Sequence, residues 1–245
     1  MTDVGRTVDN LLKWAGREEW GARHREVLHE HLHGPCKRFG LTLDALVREL
    51  SDHDYLLPAF GLVFEDLATR RFPPAGANLI DDYLRRRGTR ESPSGRRYLE
   101  ALRDSRQGLY EVVDVSPGQS VDVRDLAWGG ESVRVTEPVA SRQLERSERV
   151  AARILRVDDQ HLFAGATVPF PGETADTLLR IIERTRNSLR ETAARAGGDD
   201  TPDRAVIDER IRRILPTLTS PAFTGIWVGH VLGQARRPPA RPAPA

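Results

Sequence analysis

His24, His29, His31, His33 and Cys36 crowd one short stretch, and imidazole and thiolate are the side chains that bind transition metals best. On a helix His29 and His33 share a face one turn apart, and His24 and His31 do so two turns apart. The string His29-Glu30-His31-Leu32-His33 also satisfies H-E-x-x-H, in which two histidines hold zinc and the glutamate between them acts as general base. A metal-dependent hydrolase using the His24–His33 cluster, with His29 and His33 as ligands, is therefore one functional reading. Two features weigh against it: the motif needs a further ligand from downstream, and Gly34-Pro35 is expected to end the helix at once. The leading expectation is a solvated His-rich helix end in a protein with no metal or other cofactor.

A second cluster is basic. Arg85, Arg86, Arg87, Arg90, Arg96, Arg97, Arg103 and Arg106 are interleaved with Tyr83, Tyr98 and Tyr110. Guanidinium forks suit phosphate and aromatic rings suit stacked bases, so Arg85, Arg86, Arg87, Arg96 and Arg97 are the candidate nucleic-acid contacts. The plainer alternative is helical pairing with Asp81, Asp82, Glu91, Glu100 and Asp104. Asp114, Asp122, Asp125, Glu131, Asp158 and Asp159 could in principle gather round Mg²⁺, but most fall at predicted turns, where turn chemistry explains them. No G-x-S-x-G elbow and no phosphate-cradling glycine string occurs, so no catalytic residue can be named. Trp128, beside Gly129-Gly130, is the candidate anchor for a protein partner, because an aromatic on a hairpin tip is costly to expose and useful to bury.

These residues need elements to position them. Residues 1–107 read as helices: apolar side chains recur at three and four from Val8 to Ala15 and from Leu43 to Leu50, Thr42 and Ser92-Pro93 are start signals, and Gly88 is a stop signal. Residues 108–171 change to a period of two. Leu109–Val115, Ser120–Leu126, Ser132–Thr136, Arg149–Val157 and His161–Val168 predict five short antiparallel strands, with a tight hairpin at Gly129-Gly130 and a turn at Asp158-Asp159. Val150, Ala152 and Ile154 face one way and Ala151, Leu155 and Val157 the other, so the fourth strand is expected to be buried on both sides. Five strands at this spacing predict a small β-barrel-like unit. Residues 172–235 return to helices, one through Leu178 and Ile182, one from Pro202, and a last one opened by Pro221. Residues 236–245 form a Pro-rich tail expected to be disordered. The fold class is α+β.

The chain has 245 residues with 37 Lys and Arg against 36 Asp and Glu, so net charge gives no bulk attraction to nucleic acid or membrane. Lysine occurs only at Lys13 and Lys37, a bias expected of a G+C-rich bacterial genome. A single cysteine, Cys36, allows no intrachain disulfide and suits a cytoplasmic location, and neither a signal peptide nor a membrane-spanning run is legible.

Arg86-Arg87-Gly88, Glu91-Ser92, Arg97-Tyr98-Leu99, Leu109-Tyr110-Glu111-Val112 and Arg124-Asp125-Leu126 together resemble a string in uncharacterised bacterial proteins. The resemblance covers roughly the middle third of the chain and has no catalytic signature. Such proteins look longer and can carry a Cys-rich SEC-C zinc tail, the motif also present at the end of the SecA translocase, and with one cysteine this chain lacks it. The resemblance implies no activity. The expectation is a non-enzymatic cytoplasmic binding or adaptor module with the small barrel as contact surface, its ligand a protein or nucleic acid; the alternative is the metal-dependent hydrolase above.

Overall fold

Thr42, Asn78 and Ser92 each accept a hydrogen bond from the backbone N–H three residues on, at 3.2, 3.0 and 3.1 Å, and each opens a helix. A side-chain oxygen at these positions satisfies a donor that the first helical turn leaves free. The computed structural model describes residues 2–197 and 203–236. The predicted tail beyond Arg236 lies outside them. Helices α1 (Asp3–Ala15), α2 (Glu18–Phe39), α3 (Leu43–Asp52), α4 (Leu56–Thr69), α5 (Leu79–Arg87) and α6 (Pro93–Asp104) precede a sheet, and α7 (Gly172–Gly197) and α8 (Arg204–Ala235) follow it. No helix among the described residues is long and apolar enough to cross a membrane.

The structure corrects two expected helix boundaries. α2 does not stop at Gly34-Pro35 but continues to Phe39, and α8 runs through Pro216 and Pro221. Each proline removes one bond to the carbonyl four residues back. Here α2 and α8 pack on each other, and the apolar surface buried between them outweighs that loss. Gly225 permits the close approach, since a Cβ there would stand 3.6 Å from the His31 carbonyl oxygen and 3.8 Å from Pro35 Cδ.

Strands β1 (Gln107–Ser116), β2 (Ser120–Asp125), β3 (Val133–Thr136), β4 (Arg149–Val157) and β5 (Gln160–Phe163) pair antiparallel in the order β3-β2-β1-β4-β5, and β6 (Val168–Pro169) pairs with β4 beyond β5. The fold is α+β, with two departures from the predicted sheet. The last strand is broken. Ala164 N still donates to Arg153 O at 2.9 Å and Phe170 N to Arg149 O at 2.7 Å, but Ala166 N turns away to Glu65 Oε1 of α4, also at 2.7 Å. The apolar alternation from Leu162 to Val168 runs straight across this break, because its cause is a carboxylate far away in the sequence. Nor does the sheet close into a barrel: β3 and β5 come side by side without pairing. Both are four residues long, too short to carry the staggered register that closure requires.

The curled sheet has two apolar faces. Val112, Val121, Val123, Val135, Val150, Ala152 and Phe163 pack inside the curl. Leu109 and Ala151 face outward into the largest core with Leu32, Leu46, Leu62, Leu178, Phe223 and Trp227. That core draws on helices from both sides of the sheet in sequence. At the scale of ~1.5–3 kcal/mol per fully buried large side chain, it is what holds α7 and α8 against β1 and β4.

Candidate functional site

Two polar regions lie inside this frame. The first is a buried charged centre where the outer face of β4 meets α2, α4 and α8. Arg153 takes its place between Ala151 and Leu155 on that face and is 3 % exposed. Its guanidinium stands 3.6 Å from Glu65 Oε2 and 3.9 Å from Asp66 Oδ1, and donates to Ser105 O at 3.3 Å. Asp66 Oδ2 also meets Arg70 at 2.6 Å and His31 Nε2 at 3.0 Å, while His31 Nδ1 lies 2.8 Å from the Thr224 hydroxyl. Burial pushes the Glu65 carboxyl up to about 7, against the Arg153 charge and the Ala166 N–H. Burial acts the same way on Asp66, but the His31 hydrogen bond and the Arg70 and Arg153 charges outweigh it and hold that carboxyl below its usual range. Thr224, His31 and Asp66 have the residue types of a hydroxyl–imidazole–carboxylate relay. Each is at most 1 % exposed, so no substrate reaches them and the set joins α2, α4 and α8 instead.

The second region is open. Where β1 begins, a cleft of about 380 Å³ lies between the sheet and α8, lined among others by Gln107, Tyr110, Asp125, Trp128, Arg212 and Thr219. Its floor is set by strand alternation: Gln107 is paired with Arg153 across β1 and β4, and its side chain lies on the helix-facing side with Leu109. Gln107 is 6 % exposed, yet neither its amide nitrogen nor its amide oxygen has a hydrogen-bond partner among the described residues. A buried amide left unpaired costs ~1–3 kcal/mol.

The opposite wall is the β2–β3 connection. It is not the predicted tight hairpin but a longer loop: the Asp125 carboxylate accepts from Ala127 N at 2.7 Å and Trp128 N at 3.0 Å, and Gly129 and Gly130 take φ of 65° and 102°. That turn folds Trp128 back, correcting its expected place on an exposed tip. The indole is half-buried against the main core, with the Arg212 guanidinium 4.5 Å and the Arg186 guanidinium 5.3 Å from the ring centroid. Arg186 also donates to Ala127 O at 3.0 Å, which ties α7 to the loop. Burial raises the Asp125 carboxyl even against its two backbone donors. Tyr110 lies over Gly108, where a Cβ would stand 2.5 Å from the phenol oxygen; only glycine leaves room for the ring there. Arg106 and Arg212 are exposed cations on the lining.

The other residues singled out in sequence are dispersed. Arg85 and Arg86 bond to Asp82 Oδ1 at 2.6 and 3.0 Å, Arg97 to Asp158 at 3.3 Å, Arg87 lies 5.8 Å from the Trp14 ring centroid, and Arg96 is exposed. Arg85 and Arg86 line one surface depression, Arg87 a second and Arg97 a third. His29 and His33 do share a face, with ring centroids 4.7 Å apart, but His31 points into the charged centre, and no group of three His, Cys, Asp or Glu side chains among the described residues is placed to hold a metal ion. Gln107, Arg153 and Arg212 were not singled out. Arg153 carries a legible signal, a cation midway along a strand that is otherwise apolar on both faces. Gln107 and Arg212 carry none, since only the packing of β1 against α8 brings them together.

Comparison with known families matches residues 69–196 to a family of unknown function (DUF7986), and nothing in that match connects the chain to SEC-C zinc tails. The matched stretch holds the whole sheet, Gln107, Tyr110 and Trp128, while α8 lies beyond it. No curated protein and no solved structure matches.

Proposed function

We propose, for a chain that belongs to the family of unknown function DUF7986, a non-enzymatic binding module whose contact surface is the cleft between the curled sheet and α8. The observation that carries this reading is the Gln107 amide, unpartnered and closed off from solvent at the floor of the cleft, so that a ligand meets it once the side chains above it move aside. A polar group in that state loses stability to no structural purpose unless something supplies the missing hydrogen bonds. A primary amide offers one donor beside one acceptor, the complement of a nucleobase edge. Trp128 offers ring surface nearby, and Arg106 and Arg212 offer charge for a phosphate. The cleft volume is of mononucleotide size. The ligand that fits is a nucleobase bearing a phosphate, free or at the end of a strand.

Titration calorimetry of the full chain with AMP, CMP and ribose 5-phosphate tests this. Saturable binding of a nucleotide, weaker for the base-free sugar phosphate and lost in Gln107→Met, is the expected result. Equal binding of all three, or nucleotide binding that Gln107→Met leaves intact, contradicts it, and so does the absence of saturable binding.

A further inference from the structure

A second surface, remote in sequence from the sheet, has the composition of an anion site. Lys13 of α1, Arg17 of the α1–α2 turn, Arg87 at the end of α5 and Arg90 just after it line one depression of about 400 Å³, with Asn10, Trp14, Tyr83 and Glu91. None of the four cations makes an ion pair with any side chain among those described, whereas Arg70, Arg71, Arg85, Arg86, Arg97 and Arg103 nearby in sequence are all paired. The one carboxylate in the lining does not neutralise them. Glu91 accepts hydrogen bonds from Thr7 and Tyr83 and from Asn10 at 3.0 Å, so its charge is met by hydroxyls and an amide. Four positive charges face one negative charge.

Two of the cations, Arg17 and Arg87, are also held in place. Trp14 Nε1 donates to Asp82 Oδ2 at 3.0 Å, which fixes the indole, and the Arg17 guanidinium lies 3.7 Å from the ring centroid with Arg87 at 5.8 Å. A guanidinium seated on an aromatic ring loses less freedom on binding an anion than a free one does. The ring itself is 4 % exposed, so it positions the forks and is not available to stack a base.

We infer that Lys13, Arg17, Arg87 and Arg90 form a binding site for closely spaced phosphates, as in an oligophosphate or the triphosphate of a nucleotide. Four cations around so small a depression exceed what one phosphate needs, and forks and ammonium groups are the donors phosphates take.

The test is titration calorimetry of the 245-residue chain at low ionic strength with inorganic triphosphate, ATP and a 5′-hydroxyl RNA oligomer. Triphosphate should bind saturably, tighter than ~1 mM. Arg90→Gln and Lys13→Gln, both exposed positions, should each weaken it roughly tenfold, the scale of one charged hydrogen bond. Arg85→Gln, whose partner is Asp82, and Gln107→Met should leave it unchanged. In the Gln107→Met chain, where the cleft no longer takes a nucleotide, ATP binding no tighter than triphosphate identifies the phosphates alone as the ligand of this site; tighter ATP binding identifies a nucleotide. Absence of saturable triphosphate binding, binding insensitive to both Arg90→Gln and Lys13→Gln, or binding of the RNA oligomer alone overturns the inference.

Discussion

The charged centre around Arg153 and the cleft around Gln107 sit on the same strand pair, one cross-strand step apart, and they use buried polarity in opposite ways. In the centre opposite charges stand against one another, even where Glu65 Oε2, Arg70 Nε and Arg153 Nε lack a hydrogen bond, and access is closed. In the cleft an amide is left without partners on a buried floor beneath an open mouth. Residue type alone is therefore a poor guide in this molecule: the residues that look most catalytic, Thr224, His31 and Asp66, fasten helices, and a neutral glutamine marks the proposed binding site.

That contrast breaks first at Arg153. Arg153→Met removes the positive charge facing Glu65 and Asp66 and leaves two carboxylates buried beside each other, so equilibrium urea unfolding should show a loss of ~3–5 kcal/mol at neutral pH. A loss under ~1 kcal/mol, the scale of an exposed pair, would mean the centre is not tied as described.

Glu65 adds a pH signature. Its folded pKa is raised from 4.5 to about 7, so between those values the folded chain retains a proton that the unfolded chain releases. Stability from this group is greatest below pH 4.5 and falls as pH rises to about 7. Asp66, with its depressed carboxyl, acts in the opposite sense: its contribution is present above its unfolded value and is lost as pH falls through its folded one. Unfolding free energies between pH 4.5 and about 7 should decline in the wild type, and the decline should be shallower in Glu65→Gln. Identical slopes in the two proteins contradict the assignment.

The cleft should respond the other way. Gln107→Met removes an unpaired buried amide and keeps the side-chain volume, so without ligand it should raise stability by ~1–3 kcal/mol. Destabilisation in the same assay would mean that the amide is satisfied in solution. The smallest effect belongs to Arg212→Gln. Losing the guanidinium over Trp128 should cost ~0.5–1 kcal/mol of stability, and nucleotide affinity should fall with it.

Much of the frame is legible in the sequence because its signals are local. Thr42, Asn78 and Ser92 cap helices by bonds within one turn, and Asp158, with φ of 53°, turns β4 into β5 by its own backbone. What escapes is decided by distant partners. Pro35 and Pro221 read as breakers until α2 and α8 are packed together, and the strand at Leu162–Val168 reads as continuous until Glu65 captures Ala166 N. The candidate site shares that fate. Trp128 can be picked out by type, but its seat under Arg186 and Arg212 depends on α7 and α8, and Gln107 is ordinary until α8 covers β1.

The side-chain amide of Gln107 is itself an observable. In ¹H–¹⁵N spectra of the full chain, its NH₂ resonances, assigned by their absence in Gln107→Met, should shift on titration with AMP and stay in place with ribose 5-phosphate, because the base edge supplies the missing partners. Resonances that do not move while AMP binds would contradict the cleft as the binding site.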